Sequence, residues 1–137
     1  MQLQEFQVFH QSVQATNTDA NITWFKPNKE AFHRSLCQAN GVLTAGGFET
    51  PAEALFLNKK LMVIPIKGQY EQACNAAALK AMGVTVLPEI NLYFGQHLQQ
   101  WMKDSTPVQR PDFLPTHTIV EKVFGQLDSS NTGLLFA

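Results

Sequence analysis

Charge, cysteine and long apolar runs are all scarce in this sequence, and each shortage removes a class of function. Only 15% of the 137 residues are charged, and ten Lys plus Arg stand against eleven Asp plus Glu, for a net charge of -1. No basic excess is present to neutralise nucleic-acid phosphates or to hold the chain on anionic lipid, so nucleic acid is not an expected partner. The two cysteines, Cys37 and Cys74, lack CxxC spacing and are too few for a disulfide scaffold. They read as reduced thiols of a cytoplasmic protein. No apolar run approaches the roughly 18 to 20 residues that span a bilayer, and the start MQLQEFQVFHQ has no basic residue ahead of a long apolar stretch. Neither a membrane helix nor a signal peptide is therefore expected. The four histidines, His10, His33, His97 and His117, show no paired spacing such as HExxH. With no P-loop, GxGxxG or GxSxG either, the sequence offers no metal, no cofactor and no catalytic nucleophile.

What is present is the material of a core. Hydrophobic residues make up 45% of the chain and aromatics 10%, and thirteen Gln with eight Asn supply much of the remaining polarity. Residues 1–137 are expected to form one domain, a length that leaves little room for both halves of a two-substrate enzyme. Alternation predicts strands over EFQVFH (5–10) and NITWF (21–25), with the polar QSVQATNTDAN between them read as a loop. From Asn28, a plausible N-cap, Phe32, Leu36 and Ala39 recur at helical spacing. A strand over 41–45, a helix over 50–57, a strand over 61–66, a helix over 70–82 closed by Gly83 and a strand over 84–87 follow. Helices over 91–103 and 116–127 flank a loop containing Pro107, Pro111 and Pro115, and the tail DSSNTGLLFA has no clear assignment. Strands and helices alternating over such short intervals predict βαβ units: an α/β fold with a Rossmann-like parallel sheet and helices on both faces.

Three places on that framework could carry chemistry. In GVLTAGGFETPAEAL an apolar strand runs into Gly46 and Gly47, and Thr50 and Glu53 have the spacing of a capping box with Pro51 at the first helical position. Glycines ahead of a helix N-terminus let an anion such as diphosphate approach free backbone N–H groups; the alternative is a tight strand-to-helix turn and nothing more. In KGQYEQACN, Glu71, Gln72 and Asn75 cluster polar groups that could hold sugar hydroxyls, or could form a solvated helix start. Trp24 and Phe25 close a strand and could stack a nucleobase, or belong to the core. All three would lie at the carboxyl edge of a parallel sheet, where ligands collect. His10 is the one histidine expected near that edge.

Taken in order, the run from Phe25 to Val84 resembles the donor-binding C-terminal domain of GT-B glycosyltransferases, in particular bacterial relatives of the UDP-glycosyltransferases and of the peptidoglycan N-acetylglucosaminyltransferase. The family's Thr-His-x-Gly-Trp-x-Ser-x-x-Glu stretch corresponds to Thr44-Ala45-Gly46-Gly47-Phe48-Glu49-Thr50-Pro51-Ala52-Glu53. The resemblance implies that Gly46, Gly47, Phe48, Glu49 and Thr50 line the diphosphate and that Glu53 binds the ribose. It also implies that Glu71, Gln72 and Asn75 contact the donor sugar and that Phe25, with Trp24 beside it, stacks the base. Ala45 replaces a histidine that contacts the diphosphate in many members. The loop between Pro65 and Gln72 is longer than in the plant and animal enzymes.

The expected activity is transfer of a hexosyl group from a nucleotide-diphosphate sugar, by family habit a UDP-sugar, to an acceptor hydroxyl. The acceptor domain that precedes the donor domain in this family, and the donor domain's first strand, have no counterpart in the sequence. The chain is thus expected to be a donor-binding fragment, inactive alone. The alternative is a non-catalytic nucleotide-binding module or one subunit of a split glycosyltransferase.

Overall fold

In the computed structural model the described residues are 4–104, 106–109, 112 and 114–130. Among these residues, six strands and five helices follow in the order β1 (Phe6–Phe9), β2 (Asn17–Asp19), β3 (Ile22–Phe25), α1 (Lys29–Gln38), β4 (Gly41–Thr44), α2 (Glu49–Phe56), β5 (Lys60–Val63), α3 (Tyr70–Ala81), β6 (Thr85–Val86), α4 (Phe94–Asp104) and α5 (Thr116–Ser130). Residues 131–137 of the unassigned tail lie outside the described residues.

The C-terminal strands carry the expected α/β architecture. β4, β5 and β6 form a parallel sheet in that order, with Thr44 opposite Val63 and Val63 opposite Val86, and α2 and α3 make the two crossovers. β5 is central and reads Lys-Leu-Met-Val, apolar on both faces because helices cover both. On one face Leu61 and Val63 pack with Ala54 and Leu55 of α2, Ala76 and Leu79 of α3, and Val84. On the other, Met62 is fully buried. Trp101 of α4 lies over Gly41 on that same face, and Lys60 Nζ donates to the Met102 carbonyl at 2.8 Å. The strand expected over 61–66 ends at Val63, ahead of Pro65, which has no N–H to offer a ladder. Gly83 takes the left-handed conformation, φ 96°, that closes α3 as expected.

The N-terminal strands depart from the single-sheet expectation. β1 pairs parallel to β3, and β3 pairs antiparallel to β2, in a separate sheet of order β1-β3-β2. The polar segment read as a loop contributes β2, whose Asn17, Thr18 and Asp19 are all exposed and so give no hydrophobic alternation to detect. A two-residue turn, Ala20–Asn21 with Ala20 at φ 52°, joins β2 to β3. Phe9 stacks on Phe25 at 4.6 Å between ring centroids and meets Phe32 of α1 edge-on at 5.4 Å, so α1 packs on this sheet through aromatics. α1 also reaches the other half of the fold: Lys59 Nζ donates to the Cys37 carbonyl at 2.7 Å.

The free edges differ in kind. β2 carries Asp19 and β6 is only two residues long, devices that blunt an edge against pairing. β1 (Phe-Gln-Val-Phe) and β4 (Gly-Val-Leu-Thr) are uncharged, and among the described residues neither has a strand on its second side. Among the described residues, no helix is long and apolar enough to cross a membrane.

Two substitutions test the packing described. Asn28 caps α1 by accepting the Ala31 N–H at 2.9 Å, so Asn28→Ala should cost about 1 kcal/mol in urea unfolding. A Cβ on Gly41 would lie 2.7 Å from the Trp101 ring, so Gly41→Val should cost about 1–3 kcal/mol and shift the Trp101 emission; an unchanged unfolding midpoint would contradict this packing.

Candidate functional site

β4 delivers the chain through Ala45, Gly46 and Gly47 to the N-terminus of α2. The expected capping box is not formed. The helix begins at Glu49 rather than after Thr50, Phe48 occupies the cap position with φ -75° and ψ -45°, and no side chain caps the helix. Thr50 and Glu53 lie within the helix, one turn apart on its surface. Pro51 falls at the third helical position instead of the first, which still lies among the N–H groups that have no intrahelical partner. Ala52 N–H donates to the Phe48 carbonyl at 3.4 Å, whereas the N–H groups of Glu49 and Thr50 have no partner among the described residues. Those donors and the positive end of the helix dipole face a cleft of about 520 Å³ lined by Gly47, Phe48, Glu49 and Thr50.

The two glycines serve different ends. Gly46 is buried at φ 79°, and a Cβ there would stand 3.0 Å from Val63 Cγ1 and 3.5 Å from the Gln72 carbonyl oxygen. Glycine is demanded at 46 by backbone conformation and by the approach of Val63 on β5. At Gly47 a Cβ would meet nothing within 4 Å, so protein packing does not demand glycine there.

The first turns of α3 join this loop to the next one. Asn75 Nδ2 donates to the Gly46 carbonyl at 3.3 Å, and Gln72 Oε1 accepts the Ile66 N–H at 2.9 Å. Gln72 and Asn75 therefore shape the loops after β4 and β5, which places both beside Gly46. Glu71 is exposed and makes no hydrogen bond or ion pair among the described residues. Glu53, half-buried on α2, has His33 Nε2 of α1 at 3.6 Å from Oε1. Trp24 and Phe25 lie on the other sheet. The faces of a strand alternate, so Phe25, stacked on Phe9, points toward α1 while the exposed Trp24 points to the opposite side. His10 bonds locally, its Nδ1 lying 2.7 Å from Ser12 Oγ.

An ion pair not anticipated from the sequence closes the edge. Lys67, after β5, pairs with Glu89, after β6. The hydrogen bond and the charge of Lys67 hold the Glu89 carboxyl below the usual carboxylate range. The pairing of Glu53 with His33 left no trace in the sequence, since the two residues lie on different helices. The Lys67 signal was its position, as the one Lys or Arg in the loops following β4, β5 and β6. A second cleft, of about 460 Å³, opens at the opposite edge of the sheet between Leu61, Thr85, Trp101 and residues 106–109; no charged side chain lines it. Among the described residues, no group of three or more His, Cys, Asp or Glu side chains gathers as a metal site.

The comparisons with known proteins bear on this geometry. No curated protein and no solved structure matches the chain. The sequence model of the family described as glycosyl transferase family 1 matches residues 2–103, which takes in both sheets, the glycine loop with α2, and the loops joined by α3. An α/β framework with that loop at the carboxyl edge of its parallel sheet, matched over three-quarters of its length, makes this chain a member of glycosyl transferase family 1.

Proposed function

We propose that this chain is the donor-binding half of a glycosyltransferase that takes a hexosyl group from a nucleotide-diphosphate sugar, a UDP-sugar, to an acceptor hydroxyl. The observation that carries this reading is the uncapped start of α2, where unpartnered N–H groups open on a cleft beside a glycine that packing does not require. In the assembled enzyme the acceptor oxygen attacks the anomeric carbon and the bond from that carbon to the diphosphate breaks. The acceptor proton passes to a base outside this chain. Negative charge grows on the leaving diphosphate, and donors already aimed at it stabilise that charge without reorganising. Gly46, Gly47, Phe48, Glu49 and Thr50 line the diphosphate, Glu53 takes the ribose hydroxyls, Glu71 with Gln72 and Asn75 takes the sugar, and Trp24, the more exposed of the two strand-end aromatics, stacks the base.

Two features support an acceptor-binding element supplied by further polypeptide. Phe48, Ile66, Tyr70, Ile90, Leu92 and Tyr93 are exposed apolar side chains that all follow the carboxyl ends of β4, β5 and β6. Apolar rims of this kind mark interaction surfaces. The uncharged free edges of β1 and β4 likewise suit continuation of the sheets by another strand. These observations fit a donor half within one longer polypeptide and the donor subunit of a split enzyme alike.

Titration with UDP, followed by intrinsic tryptophan fluorescence, should give a saturable change; no saturable response to any nucleotide at millimolar concentration would overturn the reading. Gly47→Val should leave the unfolding midpoint unchanged yet weaken UDP binding about tenfold or more, because its side chain occupies the approach to the backbone donors. Gly46→Val, by contrast, should lower stability by about 1–3 kcal/mol or more through strain and contact with Val63. Equal effects of the two on stability would contradict the division of labour between the glycines.

A further inference from the structure

The cleft at α2 lacks a cationic side chain. Its lining is Gly47, Phe48, Glu49 and Thr50, so an anion held there has backbone donors on one side and the Glu49 carboxylate beside it. Backbone dipoles alone leave most of the charge of a diphosphate uncompensated, and a neighbouring carboxylate raises the cost. Ala45, at the start of the same loop, contributes no donor side chain. A cationic side chain on a neighbouring loop would supply the missing compensation.

Lys67 is the one Lys or Arg in the loops that follow β4, β5 and β6. Its loop is tied to the glycine loop by two bonds through one helix: Ile66 N–H to Gln72 Oε1 at 2.9 Å, and Asn75 Nδ2 to the Gly46 carbonyl at 3.3 Å. The side chain is 79% exposed, and the contact that fixes its ammonium group is the one with Glu89. An exposed pair of this kind is worth little, because water solvates both charges, and it exchanges readily when a stronger anion arrives. Gly68, next in the chain, has φ 82° and open space around it, which gives the tip of the loop a compact turn with nothing packed against it.

We propose that Lys67 is a further donor-binding residue: in the free protein its ammonium group is held by Glu89, and on binding it transfers to the diphosphate at the start of α2, supplying the cationic side chain that the glycine loop lacks. This deepens the proposed function and rests on it. Glu89 then acts as a competitor. While paired it keeps Lys67 at the end of β6, and it lowers the affinity for the anion by the strength of the pair it must give up. At neutral pH Glu89 is ionised, since Lys67 holds its carboxyl below the ordinary range. The competition is therefore in force at neutral pH.

The competition gives the two partners opposite signs, which a merely structural ion pair would not. With UDP as the probe and calorimetry as the readout, Lys67→Ala should weaken binding about tenfold and flatten its dependence on salt, and Lys67→Arg should restore most of the loss. Glu89→Gln should strengthen UDP binding about two- to threefold. Uridine, which has no phosphate, should bind all of these variants and the unaltered chain alike. Circular dichroism melts should coincide for all of them. If UDP binds the unaltered chain and neither Lys67→Ala nor Glu89→Gln changes its affinity, the role of Lys67 fails while the donor-binding reading stands. If Lys67→Ala weakens uridine as much as UDP, or if Glu89→Gln weakens UDP, the lysine does not meet the diphosphate and the proposal is wrong. No binding of UDP to the unaltered chain would remove both readings together.

Discussion

Met62 and Val63 are fully buried at the carboxyl end of β5, and the carboxyl edge of the sheet is positioned from them. With helices on both faces, a strand so placed has no freedom to shift register: a slip of one residue would carry Lys60 and Met62 to the face where Leu61 and Val63 now meet α2 and α3. Val63 also limits what the neighbouring loop can be. Its methyl group stands 3.0 Å from the place a Cβ would occupy at residue 46, so the chain leaving β4 passes over Val63 as bare backbone. The same strand pair that builds the core thereby fixes the turn into α2.

From that contact outward, the loops are held by side chains of α3 rather than by their own sequence. Asn75 and Gln72 each spend a polar group on a backbone partner in a different loop. A residue with one such group engaged leaves its other polar atoms available, the amide nitrogen of Gln72 and the side-chain oxygen of Asn75. Positioning and recognition can thus share a side chain, which gives a short domain an economical way to build a site. The helix that would need a side-chain cap in isolation is left uncapped, and its free donors become the most chemically distinctive feature of the edge.

Much of this was legible in the sequence where a local rule decides. Asn28 caps its helix, Gly83 closes another, and the apolar run at 61–63 is a buried central strand, because capping, left-handed backbone and burial each leave a mark at a single position. The misread places are those where the local pattern is silent or misleading, or where a distant contact decides. β2 has no alternation because all three residues are exposed, and its pairing is set by the turn at Ala20. Thr50 and Glu53 have the spacing of a capping box, yet the helix starts at Glu49, so a matching pattern did not yield the matching hydrogen bonds. At the site, the glycines and the polar start of α3 were visible as residue types. That Gly46 answers to Val63 and Gly47 to open space, and that Lys67 meets Glu89, are facts of packing between elements far apart in the chain.

Membership of glycosyl transferase family 1 gives these details their meaning, since a cleft at the carboxyl edge of a parallel sheet is where such a fold takes its ligand. The central claim is that the backbone at the start of α2 receives the diphosphate. Amide chemical-shift mapping with UDP tests it most directly. The account predicts that the largest changes fall on the N–H groups of Gly47, Phe48, Glu49 and Thr50, with smaller ones at Gln72 and Asn75. Changes centred instead on the uncharged cleft of Leu61, Gly83, Thr85 and Val108 at the opposite edge would contradict it.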